Sequence, residues 1–401
     1  MRYLLINHIA AAPGSDGAHL ALPPAWARDL GAAARAAAEA GIALTVATPL
    51  SKRLIPGCVE VVPDQVGFEH IALPFYDSAG GFLRERGEIQ AVLRRAITAA
   101  DLVQLDHGGH PISLGHVADP IAKALGKRTA WIVQGDSLPQ SSLATSSGNV
   151  AKRLVGRSLD LRLRKSLIDH LTDAALVICG NATVRSQLSS EHGISSQRVE
   201  SSDVLDRETA SSSQIRERTR RLLDDSHVIQ FIVTGEQNIV AGTDHVLRAL
   251  HRCLRLGLAC ELVILGEGVE RGALLALADN LLIARFVRFS SDPGDLDRAD
   301  VWINSGLTRA AQHPFEQAMA AGLVPIVYRD GGCCAHVVRV ETGSLEGLAA
   351  AMFDAAMKRD QLVARMLGGI EYARARTLEA SYRTRFALAK SIQGDRSRPA
   401  A

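Results

Sequence analysis

The sequence predicts an α/β protein of two doubly wound, Rossmann-like domains in series. Short apolar runs rich in β-branched residues alternate with helix-length segments, which implies parallel sheets covered on both faces. The alternation breaks at a polar stretch, Ser201 to Ser213, that reads as an interdomain linker, and then restarts. At 401 residues the chain is long enough for two or three separate cores.

The elements follow in order. Arg2 to Ile9 reads as a buried strand, and Ala10 to Leu22 as a loop carrying Gly14 and Gly17. Pro24 to Ala40 is an alanine-rich helix stopped by Gly41, and Ile42 to Thr48 a strand. Cys58 to Val62 and His70 to Pro74 are short strands, Phe82 to Ala100 a helix, Asp101 to Leu105 a strand. Helices over Ile112–Leu125, Val150–Thr172 and Ala182–Ser190 alternate with strands over Arg128–Val133 and Ala174–Cys179. After the polar stretch, strands are expected over His227–Thr234, Cys260–Leu265, Arg285–Phe289 and Asp300–Asn304. Helices are expected over Asp244–Leu256, Val269–Ala278, Leu345–Lys358, Gln361–Arg374 and Leu378–Ile392, before a polar tail. The domains are read as 1–205 and 206–375, with a last helix, 376–395, packing back on the first.

Composition narrows the function classes. Hydrophobic residues at 47%, charged residues at 22% and a net charge of +2 are an ordinary globular balance, and no basic stripe argues for nucleic acid. None of the six cysteines forms a C-x-x-C pair, which fits reduced thiols in a cytoplasmic protein. RYLLINHIAA is too short an apolar run for a membrane span and fits a first strand better than a signal peptide.

The most informative stretch is Pro314 to Gly332, PFEQAMAAGLVPIVYRDGG. It reads as a helix with Glu316 in its first turn, a stop at Gly322, a buried strand over Leu323–Val327, and a glycine loop at Gly331 and Gly332. It resembles the donor-site signature of retaining, GT-B-fold glycosyltransferases of the family 4 group. Three other stretches resemble that family: Phe231–Leu250, the strand–G-x-G–helix element Glu261–Ala278, and Val287–Ser305. SYRTRF, Ser381 to Phe386, looks like its last helix. The resemblance implies two Rossmann-like domains facing a central cleft. It also implies sugar transfer with retention from a UDP- or GDP-linked donor to a glycan, lipid-linked or small-molecule acceptor. The donor is a co-substrate, and neither a bound cofactor nor a metal is expected. Glu316 would hold donor hydroxyls. Gly235, Glu236, Gly266, Ser305, Thr308, Arg309, Gly331 and Gly332 would line the donor side.

Several positions depart from the family. Its diphosphate-holding Arg and Lys correspond here to Glu236 and Ala241, and its first Glu, eight positions before Glu316, to Thr308. A carboxylate facing a diphosphate is repulsive, and a missing ammonium removes a charge from the leaving group. Arg309 and His313 are the nearby replacements in sequence. The second reading is therefore a catalytically reduced, glycosyltransferase-like binding or partner subunit. A third is another GT-B enzyme, such as a sugar-nucleotide epimerase.

In the first domain QLDHGGHPISLGH, Gln104 to His116, follows a strand. The family often has a histidine in this loop, which makes His107 the expected catalytic residue and His110 its competitor. Asp106, His107 and His110 also read as metal ligands, but no further ligand set with recognisable spacing accompanies them. Gly14, Gly17, His110 and Asp136 are the expected acceptor-side residues. The basic run 152–165, interleaved with Leu and Val, reads either as a solvated helix face or as peripheral contact with an anionic inner membrane face.

Overall fold

A computed structural model describes residues 1–16, 19–51, 53, 56–108, 112–133, 164–235, 241–307, 315–328 and 334–394. The chain divides into two compact units, 1–201 with 378–401, and 202–377.

The first unit is built on seven parallel strands. Their order is Gln197–Arg198, Leu176–Cys179, Arg128–Val133, Leu102–Asp106, Arg2–Ile6, Ala43–Leu50, Glu69–Pro74. The first strand in sequence is therefore central, and the order runs outward from it in both directions. Helices Ala79–Ala99 and Leu114–Ala124 lie against one another and line the core with Ile89, Leu93, Ile97, Leu114 and Ile121. Strand residues that alternate inward, Leu4, Ile6, Val103, Leu105, Trp131 and Val133, complete it.

The second unit repeats the design with six parallel strands in the order Val287–Ser290, Cys260–Leu265, Ile229–Thr234, Val301–Asn304, Val324–Tyr328, Val338–Val340. In sequence order this is 3-2-1-4-5-6, the Rossmann order. Helices Thr243–Arg255 and Leu345–Met357 pack together beside it.

Two expectations are corrected. Ala10–Leu22 is not simply a loop: Ala12–Pro13 and Leu20–Leu22 form a small antiparallel sheet with Val59–Val61. The segments are too short to show a period, so their apolar residues gave no strand signal. Ser201–Ser213 is not a free linker. Val204, Leu205 and Ala210 are buried, and the Ala210 N–H donates to Ala320 O at 2.7 Å. A helix, Ser212–Leu222, starts within it on a capping box of Ser211 and Gln214. The serines are there to cap and turn the backbone. The edge strand Val338–Val340 had not been expected. Only one of its three residues is buried, so it lacked an apolar run.

Helix Leu378–Gly394 belongs to the first unit and lies along helix Pro24–Glu39. Phe386 is fully buried, edge-on to Tyr3 at 5.1 Å, and the Tyr382 hydroxyl donates to Asp29 at 2.7 Å. Arg35 holds the buried Glu379 carboxylate at 2.5 Å, and Arg383 holds Glu39 at 2.6 Å. Phe386→Ala removes the largest of these contacts. It should destabilise the first unit by about 3–5 kcal/mol, read as a lowered midpoint of chemical or thermal unfolding.

Helix Leu114–Ala124 is fastened by Asp119, which is fully buried. Its carboxylate accepts from Trp131 Nε1 at 3.2 Å, sits 2.7 Å from His170 Nδ1, and pairs with Lys123 at 2.9 Å. Burial pushes the Asp119 carboxyl up, but these hydrogen bonds outweigh it and hold the group below its ordinary value. Beside it His116 is lowered from 6.5 to about 4, by burial first and then by the neighbouring His170 and His107, against Asp119. His70, which shares a 3.0 Å hydrogen bond with Thr48, is lowered to about 4 by burial. Unfolded chains protonate these rings below about pH 6.5, while the folded chain resists down to about 4. Their stabilisation is present above 6.5 and lost as pH falls through that window. The melting temperature should therefore drop between pH 7 and pH 4, and His116→Gln with His70→Gln should flatten the profile.

Candidate active site

In a doubly wound sheet ligands bind beyond the carboxyl ends of the strands, where the strand order reverses. In the second unit that point lies between Ile229–Thr234 and Val301–Asn304. The backbone here is packed too closely for side chains. Gly266, at φ 131°, would place a Cβ 2.4 Å from Gly235 O, and Gly242 would place one 2.2 Å from Ser305 O. Gly242 immediately precedes the 13-residue helix Thr243–Arg255. That helix start presents the positive end of the dipole, and its first turn already carries the carboxylate of Asp244.

Two side chains at the end of Val301–Asn304 behave differently. Ser305 is buried, and its hydroxyl donates to Ala241 O at 2.9 Å, so it fastens the loop before the helix. Asn304 is also buried, and its Oδ1 accepts the Gly306 N–H at 3.0 Å. Asn304 Nδ2 is buried with no hydrogen-bond partner among the described residues, a donor left over at the crevice. Sequence reasoning passed over Asn304; its one signal was a lone amide ending an apolar strand. Trp302 Nε1 donates to Thr234 Oγ1 at 2.8 Å, tying the two strands together just below.

Glu316 is half-buried and opens a short helix, Glu316–Ala320. Gly322 follows with φ 82°, and Val324–Tyr328 is buried at all five positions. That helix, turn and strand match the sequence reading. His245 Nδ1 lies 3.1 Å from the Tyr328 hydroxyl at the strand's end. Glu236, Thr308, Arg309, Gly331 and Gly332 lie outside the described residues, as do His313 and Arg329.

In the first unit the order reverses between Arg2–Ile6 and Leu102–Asp106. Asn7 and His8 leave the first strand; Asp106, His107 and Gly108 leave the second. His8 Nδ1 lies 3.5 Å from Asp106 Oδ1, and Asn7 Nδ2 lies 3.5 Å from Asp106 Oδ2. His107 is half-buried. Burial lowers its pKa, against Asp106 and a backbone hydrogen bond at Ile132 that raise it. Among the described residues its Nδ1, like that of His8, is buried without a hydrogen-bond partner. Sequence reasoning singled out His107 and missed His8, because nothing local to NHIAA marks it as a neighbour of Asp106, 98 positions on.

Gly14 follows the strand Ala12–Pro13, and its N–H donates to His19 O at 2.9 Å. Gly17, His110 and Asp136 lie outside the described residues, as does 152–163 of the basic run; Arg164 and Lys165 open the described helical stretch 164–172. Among the described residues no group of three or more His, Cys, Asp or Glu side chains is placed to hold a metal. Among them, too, no helix is long and apolar enough to cross a membrane.

No family model matches this chain, and no curated protein matches it. Solved structures do. A glycosyltransferase from Rickettsia africae ESF-5 aligns over 98% of this chain and 98% of its own at 12% identity, with a TM-score of 0.58. Anabaena Alr3699/HepE, solved in complex with UDP, aligns over 98% and 100% at 12% identity, with a TM-score of 0.55. A Listeria monocytogenes protein described as a UDP-N-acetylglucosamine 2-epimerase aligns over 99% and 98% at 13% identity, with a TM-score of 0.50. At such identities the likeness is one of fold, and the chain has the GT-B fold of two Rossmann-like α/β units.

Proposed function

We propose that this protein is a glycosyltransferase that moves a sugar from a nucleotide-sugar donor to a hydroxyl acceptor. The observation that carries this reading is the meeting of two independent features in the second unit. One is the crevice built by Gly235, Gly242 and Gly266 at the start of helix Thr243–Arg255. The other is the Pro314–Gly332 stretch, whose strand Val324–Tyr328 lies next to Val301–Asn304. In this reading the helix start holds the donor's phosphates, with Asn304 Nδ2 as a further donor, and Glu316 accepts hydroxyls of the ribose or sugar. The acceptor lies on the first unit beside Asp106 and His107. The HepE structure, with UDP, supports a uridine nucleotide as the first donor to test, with guanosine nucleotides beside it. Retention is the finer expectation; it rests on the family 4 likeness, and the anomeric configuration of the product, read by proton NMR, decides it.

The reduced, partner-subunit reading is favoured by one specific observation. Ala241 stands where the family has its diphosphate-holding Lys, and its carbonyl is engaged by Ser305. An epimerase fits the same fold. Interconversion of free nucleotide sugars without an acceptor would identify that activity.

Thermal-shift titration with UDP, GDP and their sugars should raise the melting temperature for one base, because a ligand of the folded state adds apparent stability. Glu316→Gln should leave the unliganded melt nearly unchanged and shrink that shift. Unfolding of this variant with its residual affinity intact would make Glu316 a structural cap. Glu236→Arg with Ala241→Lys should tighten nucleoside diphosphate binding by about 1–3 kcal/mol if charge-assisted hydrogen bonds form. Transfer rising in step supports a weakened enzyme, and tighter binding without transfer supports the partner subunit.

A further inference from the structure

We propose that the first unit carries a further ligand site, for a small carboxylate on a hydrocarbon chain, in a groove between helix Ala79–Ala99 and the sheet. This does not depend on the transferase reading. The groove lies at the amino-terminal end of the strands, away from the carboxyl ends where that reading places substrates.

Strand pairing builds one wall. Leu4 lies beside Thr45, and Thr45 beside Glu69, across three neighbouring strands. Alternation along each strand puts Arg2 and Ile71 on the same face. Helix Ala79–Ala99 packs on Arg2–Ile6 and Glu69–Pro74 and builds the other wall. Its Val92, Arg95, Ala96 and Ala99 line the groove and, three and four residues apart, share one side of the helix.

The helix is sealed on the core where its inward residues are large, at Ile89, Leu93 and Ile97. Ala96, Ala99 and Ala100 carry only a methyl each, and beside them a groove of about 420 Å³ remains. Protein interiors are otherwise close-packed, and spaces of this size are those that hold small ligands.

Leu4, Ile71 and Val92 give the groove apolar surface, and its charged groups are unequal. Arg95 is exposed and makes no hydrogen bond or ion pair among the described residues. Arg2 is 63% exposed, with its guanidinium 3.8 Å from Asp101 Oδ1. Glu69 accepts a hydrogen bond from Thr45 Oγ1 at 3.1 Å. The lining thus sets two guanidinium groups against one carboxylate. A carboxylate head pairs with the Arg95 fork, on the side away from Glu69, while its chain displaces water from Leu4, Ile71 and Val92. A cation on the same chain would meet two like charges.

Octanoate is the probe, titrated into the full chain by calorimetry. Octylammonium has the same chain length and the opposite charge; acetate has the head alone. Octanoate should saturate one site, and the other two should bind at least about tenfold more weakly. Arg95→Gln should weaken octanoate by about tenfold or more. Ala99→Leu fills the groove and should abolish binding. Both positions are exposed, so both variants should melt like the wild type. Glu69→Gln, which removes the opposing charge, should tighten binding. Octylammonium binding as tightly as octanoate overturns the proposal, as does undiminished octanoate binding in either Arg95→Gln or Ala99→Leu, or binding that never saturates. A wild-type chain that binds octanoate but neither binds nor turns over a nucleotide sugar removes the transferase reading and leaves this site standing.

Discussion

Both units depend on the same constraint. A parallel sheet needs a crossover after every strand, and crossovers in one sheet share one hand. Starting from a central strand and winding first one way, then the other, puts helices on both faces. It also leaves the turns after the first and fourth strands diverging, with nothing between them. In the first unit those turns carry Asn7, His8, Asp106 and His107; in the second they carry Gly235 and Ser305. Polar and glycine residues stand at these turns, beyond the carboxyl ends of the strands where the order reverses.

The two crevices solve different problems with that space. In the second, glycines bring backbone against backbone, so that N–H groups and a helix start dominate. The dipole of that helix start acts with Asp244 already in its first turn. In the first, side chains dominate. The Asp106 carboxylate lies 3.5 Å from His8 Nδ1, and burial lowers the pKa of His107 against the pull of Asp106.

The histidines behind the first crevice tie it to the core. Asp119 collects Trp131, His170 and Lys123, and His116 lies against both aromatic rings. Buried ionic groups of this kind stabilise only when their hydrogen bonds are met, and here three donors converge on one carboxylate. The network holds the helix that follows the Asp106 loop. Protonating it at low pH would loosen the sheet and the crevice together.

The alternation of strand and helix, the two units, and the helix–turn–strand of Glu316 to Tyr328 were legible because each is written in local periodicity. An apolar run, a first-turn carboxylate and a glycine at positive φ are all read within about twenty residues. The sequence could not show that Ser201–Ser213 packs, since Val204, Leu205 and Ala210 find their partners in distant segments. Nor could it show the edge strand Val338–Val340, which is defined by pairing with Val324–Tyr328 and hardly at all by its own residues. Above all it could not bring His8 beside Asp106 or leave Asn304 Nδ2 without a partner among the described residues. Those follow from the register of Arg2–Ile6 beside Leu102–Asp106 and of Val301–Asn304 beside Ile229–Thr234. Local pattern selects elements; only long-range strand pairing decides which side chains share a crevice.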